Sequence, residues 1–496
     1  MVKLYTPIYK ILKIFFKKYN LHTIFSFLIL LCVAFIYLIW GDYSRHEWGD
    51  DFAQYIHQSL LILQGKTSLD TGYIYKTYAS GLGPPAYPCG FPILLTPVVA
   101  IFGVQPAPLI WYINGMSVAA LYLTFYWFRQ QKFSSIFALL GVLLIWGNRH
   151  MIFLKTEIGS DIPFFLFLMA IFILVEWKSS RAKYILLFIT LLLAILIRST
   201  GIVLLFSVFV YELYQWYRLK SGFSITKLIH FIIFPMVVIS AVILENYFIG
   251  QSSSGGYLEN LFRQDILIIV KRNITSYFDW CSDLFFENGK VLSWIVLLMI
   301  FFGFIMTMFN VVAFHHIFFF SYLFLLMLWP HVSFRFIIPI FPVMVFYIFS
   351  FIRISIEKLS LHRYYVWMVI LLFSFSSLFT HYRFLKKGFV PVFDGPYDSA
   401  FRSAATYISG HTSPDATIVF RKPRALALFT KRKSFVLPQV NDKSILLKEM
   451  QNENAQYILI DKTEQPYQEQ KLILASDTTI TLKEWENERF ELYRLK

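Results

Sequence analysis

Two carboxylates stand side by side at Asp50 and Asp51, a few residues beyond an uncharged apolar run, Ile24 to Trp40. Such a run reads as a membrane-spanning helix, so the acid pair is expected at a bilayer surface. Behind it Phe52, Ile56, Ser59, Leu60 and Leu63 recur at helical spacing, and Gly65 supplies a stop. That spacing predicts an amphipathic helix on the membrane with the acids at its N-terminal end. An N-cap accounts for Asp50 but not for a second acid beside it. Glu157 and Asp161 follow in the segment Arg149 to Asp161, where Ser160 or Asp161 can cap the helix that Pro163 opens. Arginines mark the ends of apolar runs: Arg198 before Ser199-Thr200-Gly201, and Arg335 in the stretch Trp329 to Pro342, which also holds His331. Ionisable groups at membrane depth are costly and point to function, although arginines also snorkel at interfaces.

One reaction class uses such a set. A lipid-phosphate donor needs cations for its phosphate, and an acceptor hydroxyl needs a base to take its proton. One external acid would be the base. A second, with or without a divalent metal, would orient it or neutralise the leaving phosphate. No P-loop, GxGxxG or nucleophile elbow is present, and this chemistry needs no nucleotide site.

The elements that must carry these residues are membrane helices. With 57% hydrophobic and only 15% charged residues, and 54 phenylalanines, the chain is not a soluble domain. Its net charge of +15 sits largely in short loops and termini, which points to anionic headgroups and helix orientation rather than nucleic acid. Spans are expected at 24–40, 107–128, 134–148, 162–177, 184–198, 200–217, 228–249, 291–309, 311–329, 336–352 and 364–380, about eleven in all. Lys3, Lys10, Lys13, Lys17 and Lys18 place the N-terminus in the cytoplasm. Sixteen Lys and Arg then fall inside and eleven in the longer external loops before residue 381. No small-residue cleavage site follows the first run, which reads as an uncleaved helix. The acids are more sharply sorted: Asp42, Glu47, Asp50, Asp51, Asp70, Glu157 and Asp161 collect outside.

The first external loop, 41–106, carries the acid pair and then Gly81-Leu82-Gly83-Pro84-Pro85-Ala86-Tyr87-Pro88, which cannot be regular helix. Phe91 to Val104, with two prolines, is expected to be interfacial or re-entrant. The fold class is therefore mainly α, a multi-pass helical bundle (1–380) with a small extracytoplasmic α/β domain (381–496). In that domain helices are expected at Ala400–Ile408 and Ser444–Met450, strands at Ala416–Phe420 and Tyr457–Ile460, and a hairpin from Thr479–Leu482 and Phe490–Tyr493. Its basic cluster, Arg421-Lys422-Pro423-Arg424 with Lys431-Arg432-Lys433, reads as a solvated face in preference to an anion site. Cys32 reads as a core residue, and a disulfide between Cys89 and Cys281 is open. Asn273-Ile274-Thr275 is formally a glycosylation sequon. His315-His316 reads as a structural pair.

Asp51-x-x-x-Tyr55 with Gly65 after the first span, the Pro-Pro loop, Ser160-Asp161-x-Pro163 and Arg335-Phe336-x-x-Pro339-x-x-Pro342 resemble the C-type integral membrane glycosyltransferases. Within them the order and sidedness resemble the branch of protein O-mannosyltransferases and lipid A aminoarabinose transferases, over roughly residues 1–380. A Trp-Trp-Asp-Tyr-Gly motif, expected of oligosaccharyltransferases, is absent from the sequence. The resemblance implies a polyprenyl-phosphate sugar donor, membrane lipids as surroundings and an extracytoplasmic acceptor (protein, lipid or glycan). It implies a catalytic acid at Asp51 with Asp50 beside it, where the family's Asp-Glu pair is Asp-Asp, and a second acid at Asp161, with Glu157 behind it. Arg198 and Arg335 would bind the donor phosphate, with Lys155 and Arg149 next in order. Tyr55, Glu157 and His331 would contact substrate. No cofactor is assigned, and a divalent metal on Asp51 and Asp161 is left open.

Two other function classes compete. A lipid or glycan flippase would bury ionisable residues in mid-span and relate two halves by repeat, whereas these charges sit at span ends. A non-catalytic scaffold for the C-terminal domain would leave the external acids without a use.

Overall fold

In the computed structural model the residues described are 21–39, 41, 43–44, 46–219, 225–249, 265–286, 290–360, 362, 364–388, 394–440, 442–463 and 481–496. The N-terminal lysines, Asp42 and the start of the expected hairpin (Thr479 and Ile480) lie outside them.

Each of the eleven expected spans is a helix: α1 (Leu21–Ile39), α4 (Pro106–Gln130), α5 (Ser135–Trp146), α7 (Asp161–Val175), α8 (Arg181–Ile197), α9 (Gly201–Leu219), α10 (Ile225–Ile249), α12 (Lys290–Asn310), α13 (Phe314–Leu328), α14 (Phe341–Lys358) and α15 (Tyr364–Gly388). A helix satisfies its own backbone polar groups, which is what apolar surroundings require. Five helical stretches, 106–130, 232–249, 291–310, 334–358 and 364–383, are by themselves long and apolar enough to cross a bilayer. Phe25, Phe35, Ile243, Phe301, Phe320 and Phe375 point outward and are more than half exposed, as a lipid-facing wall requires. Cys32 belongs to that wall and not to the core. Cys89 and Cys281 are buried and unpaired, so no disulfide joins them. Phe341, Val343, Val345, Tyr347, Ile348 and Phe349 are fully enclosed, which makes α14 the central helix. At Gly303 of α12 an added Cβ would lie 2.2 Å from the Tyr347 carbonyl oxygen, so the two backbones touch there.

Between the spans lie shorter helices that carry the chemistry. The expected amphipathic helix is α2 (Asp51–Leu63), and Gly65, at φ +67°, ends it in the left-handed region. The expected interfacial segment is α3 (Gly90–Phe102). Gly90 lets it approach α8 closely, since a Cβ there would meet the Leu196 carbonyl carbon at 2.6 Å. Two helices were not legible beforehand: α6 (Arg149–Leu154) and α11 (Ile266–Asp283). Two 3-10 turns, Phe334–Phe336 and Ile338–Ile340, lead into α14.

The C-terminal unit holds α16 (Ser399–His411), β1 (Thr417–Val419), α17 (Pro423–Thr430), β2 (Lys433–Phe435), α18 (Lys443–Asn452), β3 (Ala455–Asp461), β4 (Thr481–Glu486) and β5 (Phe490–Leu495). Of these α17 and β2 were not anticipated. The sheet order is β2-β1-β3-β5-β4, with β1 parallel to β2 and β3, and β5 antiparallel to β3 and β4. The unit is not hung from the bundle by a tether alone. Tyr73 of the first loop forms a parallel bridge with Ser434 of β2. Trp48 packs edge-on against Phe401 at 4.9 Å, and α17 lies on α2.

Candidate active site

Asp50 occupies the N-cap position of α2 at φ 53° but its side chain makes no capping bond there. Its Oδ1 instead accepts the backbone N–H of Ala425, 3.2 Å away in the first turn of α17. The acid pair is thus divided. Asp50 turns toward the C-terminal unit, and Asp51, the first residue of α2, turns toward a cavity of about 420 Å³. Burial pushes the Asp50 carboxyl up to about 6, against the opposing pull of Arg424, Lys422 and the Ala425 N–H.

One helical turn beyond Asp51, Tyr55 donates its hydroxyl to Ser160 at 3.1 Å and stacks on Tyr87 at 4.7 Å. The Pro-Pro loop is laid over α2 by two glutamines. Gln54 donates to the Pro85 carbonyl at 2.6 Å, and the Gln58 amide both donates to and accepts from the Tyr87 backbone, at 2.9 and 3.1 Å. That places the Tyr87 hydroxyl 2.5 Å from Asp51 Oδ1, to which it donates.

Arg335, the middle residue of the first 3-10 turn, reaches across to both acids. Its Nη1 donates to Asp51 Oδ2 at 3.0 Å and its Nε to Asp161 Oδ2 at 2.7 Å, and its Nη2 forms an ion pair with the same Asp161 oxygen at 2.6 Å. Asp161 also accepts from Arg198 Nη1, which bonds Ser160 Oγ at 3.4 Å as well. Ser160 holds the N-cap position of α7 without a capping bond from its side chain, because Tyr55 and Arg198 occupy its hydroxyl. The loop carrying Trp329, His331 and Arg335 is fastened from α11: the buried Asn273 amide lies 2.9, 3.1 and 2.8 Å from the carbonyls of Leu326, Met327 and Trp329. A buried side chain so engaged is a structural clamp and not a glycosylation acceptor, which corrects the sequon reading.

Of the residues expected at the site, Asp51, Tyr55, Arg198, His331 and Arg335 line the cavity. Asp161 stands directly behind, its side chain 5% exposed. The others are placed elsewhere. Lys155 is buried, its Nζ bonded to the Tyr37 carbonyl and 4.4 Å from the Tyr37 ring, and burial lowers it to about 7. Arg149 pairs with Asp283. Glu157 lies 3.3 Å from His46 Nε2, and burial together with neighbouring Glu47 pushes its carboxyl well up. His315 and His316 are packed among Trp127, Phe346 and Tyr347, a structural pair.

Arg424 is the site residue that sequence reasoning missed. The basic cluster of the C-terminal unit is a solvated face only in part: Lys431 and Lys433 are exposed, whereas Arg421, Arg424 and Arg432 are buried. Arg421 bonds Asp461 at 2.9 Å, Arg432 satisfies the carbonyls of Ser409, Thr412 and Thr430, and Arg424 approaches Asp51. The one signal for this in the sequence was Pro423 opening a short apolar helix inside a basic run.

The donors do not fit a divalent metal between Asp51 and Asp161, because the Arg335 guanidinium already lies between the two carboxylates and bonds both. No group of three His, Cys, Asp or Glu converges among the described residues. What the arrangement offers is an acceptor-only carboxylate on the cavity wall beside two guanidiniums that keep unused N–H groups.

No protein-family model matches the sequence, and no curated protein matches it significantly. Solved structures do match in fold. The archaeal oligosaccharyltransferase AglB from Archaeoglobus fulgidus, in complex with an inhibitory peptide and a dolichol-phosphate, is similar at a TM-score of 0.56 and 12% identity, over 90% of this chain and 70% of that one. The Archaeoglobus fulgidus oligosaccharyltransferase in complex with Zn and sulfate gives 0.57 and 12%, over 87% and 68%. ArnT from Cupriavidus metallidurans bound to undecaprenyl phosphate gives 0.55 and 12%, over 95% of this chain and 97% of that one. The chain has the fold of the C-type integral membrane glycosyltransferases.

Proposed function

We propose that this chain transfers a sugar from a polyprenyl-phosphate-linked donor to a hydroxyl of an extracytoplasmic protein, lipid or glycan, with Asp51 as general base. The observation that carries the reading is the placement of Asp51. It is the acid among the described residues lining the cavity, its side chain is 29% exposed there, and Arg335 stands beside it with Arg198 on the same wall. An acceptor hydroxyl would give its proton to the Asp51 carboxylate as its oxygen bonds the anomeric carbon. The bond from that carbon to the phosphate oxygen breaks, and the electron pair leaves with the polyprenyl phosphate. Its added negative charge falls to Arg335 and Arg198. Arg335 donates to the two carboxylates from Nε and Nη1, and Arg198 spends the hydrogens of its Nη1, so both retain donors for a phosphate.

Arg198 and Arg335 line the cavity as cations, and a sugar phosphodiester brings the negative charge they would meet there. The lysine and arginine bias between loops supports a site on the outer face, with the N-terminus in the cytoplasm. The resemblance to solved structures holding dolichol-phosphate or undecaprenyl phosphate supports a polyprenyl-phosphate partner.

The test uses purified detergent-solubilised protein, a panel of polyprenyl-phosphate sugars, and envelope extract as acceptor. Wild type is expected to release polyprenyl phosphate, and Asp51→Asn to lose about 10²–10⁴ of that rate while still binding donor. Full activity in Asp51→Asn, or no turnover with any donor, overturns the reading.

A further inference from the structure

The C-terminal unit reaches Asp51 through the side chain of Arg424. Arg424, second residue of α17, is 1% exposed, which is costly for a guanidinium unless its donors are used. Its Nη2 donates to the Pro84 carbonyl at 2.5 Å, and its Nη1 lies 3.1 Å from the Tyr87 hydroxyl and 3.4 Å from Asp51 Oδ1. The guanidinium carbon stands 4.8 Å from the Tyr73 ring and 4.9 Å from the Tyr87 ring, so the group is slotted between two aromatic rings.

Donor chemistry then decides the direction of the neighbouring bond. A guanidinium has no acceptor, so the Tyr87 oxygen must accept from Arg424. Its single proton is left to point at Asp51 Oδ1, 2.5 Å away. Oδ1 is thereby tied by Tyr87 and Arg424 while Arg335 ties Oδ2 at 3.0 Å. The residue next to Arg424, Ala425, is the one that Asp50 holds. The neighbouring acids therefore close a circuit: Asp50 fastens α17, α17 carries Arg424, and Arg424 with Tyr87 fastens Asp51.

We propose that Arg424 is a positioning residue for the Asp51 base, acting through Tyr87, so that the C-terminal α/β unit is a working part of the active site. This rests on Asp51 being the base, and it goes further by making catalysis depend on a residue 373 positions away. A clamp without this role would hold the Pro84 loop and leave the chemical step unchanged.

The experiment measures kcat and donor KM, read as release of undecaprenyl phosphate from an undecaprenyl-phosphate-linked sugar that the wild type turns over. Variants are Tyr87→Phe, Arg424→Met, Arg424→Lys and the double variant Tyr87→Phe/Arg424→Met, with Asp51→Asn as control. Loss of a hydrogen bond to a charged group predicts a drop in kcat of about 10- to 100-fold for Tyr87→Phe and Arg424→Met, with donor KM unchanged. Arg424→Lys recovers part of it, and the double variant loses no more than its worse member, because both act along one chain of bonds. Where Arg424→Met does not fold, Tyr87→Phe and Arg424→Lys decide the matter, since both keep a cation in the slot or leave it untouched. Wild-type kcat in Tyr87→Phe, or losses that multiply in the double variant, overturn the proposal. If Asp51→Asn keeps full activity, it is the reading of the base that fails.

Discussion

Arg335 donates to Asp51 Oδ2 through Nη1 at 3.0 Å, while its Nε and Nη2 are committed to Asp161 at 2.7 and 2.6 Å. One planar fork thus fixes the distance between the two acids and turns a single edge toward the cavity. A lysine cannot reproduce this, because its ammonium is a point charge without the fork. Arg335→Lys is expected to keep the fold and lose about 10²–10³ of kcat, the scale of removing one preorganised donor at a developing charge. Steady-state release of polyprenyl phosphate, beside a circular dichroism spectrum, checks it. Wild-type kcat in the variant would show that the fork is not needed.

Asp161→Asn is expected to cost stability more than geometry. The side chains of Arg198, Arg335 and Asp161 are 13%, 28% and 5% exposed, so neutralising the buried acid leaves two partly buried guanidiniums facing each other. Breaking a buried ion pair from one side costs about 3–5 kcal/mol. A phosphate would replace the missing anion. Undecaprenyl phosphate is therefore expected to raise the melting temperature of Asp161→Asn by more than it raises that of wild type, in a thermal unfolding scan in detergent. An equal rise in both would separate the phosphate from these arginines.

The contrast between what was and was not legible in the sequence follows from range. The spans could be read because an uncharged apolar run needs no partner to be recognised, and α2 because its apolar spacing and Gly65 are local. Asp51, Arg198 and Arg335 were expected at the cavity they line because each sits at or just beside the end of such an element, while Tyr55 follows one turn behind Asp51 on α2 and His331 came with the stretch that holds Arg335. Lys155 and Arg149 stood at equally suggestive positions, yet the Tyr37 carbonyl and Asp283, 118 and 134 residues away, had claimed them. Cys32 was misplaced because lipid dissolves a side chain that water would drive inward. Arg424 and Arg421 looked like solvated charges because their partners, Asp51 and Asp461, come from other elements. Local pattern locates ends of helices. It does not say which end meets which charge.

Asp50→Asn separates the two neighbouring acids by pH. Burial raises the folded Asp50 carboxyl to about 6, from about 4 in an unfolded chain, so the folded state binds the extra proton between those values. Its contribution to stability is fully present below about pH 4 and is lost as pH rises through 6. Asparagine keeps an oxygen for the Ala425 N–H and carries no charge at any pH. The variant is therefore expected to match wild type near pH 4 and to exceed it at pH 8 by about 3 kcal/mol, two pKa units' worth. Denaturant unfolding at the two pH values checks the sign. A variant less stable than wild type at pH 8 would mean that the ionised carboxylate is what holds α17.

Asn273 tests whether the cavity wall is held from a distance. Its amide lies against three carbonyls at the end of α13, and the adjacent Arg272 donates to Pro330 at 2.7 Å, so α11 grips the loop just before His331 and Arg335. Asn273→Ala strands buried carbonyls, each at a cost of about 1–3 kcal/mol where no other donor takes over. The carbonyls released are those that aim the loop, so the guanidinium of Arg335 loses its aim along with them. A fall in melting temperature together with a fall in kcat is expected, since Arg335 must meet both Asp51 and Asp161 at once. Asn273→Asp is the sharper variant, because its carboxylate turns a donor into an acceptor against the same carbonyls and repels them. It is expected to be worse than alanine in both measurements. If Asn273→Asp were active and stable, the loop would be fixed by Arg272 and its own prolines, and the helix beneath would be only a lipid-facing prop.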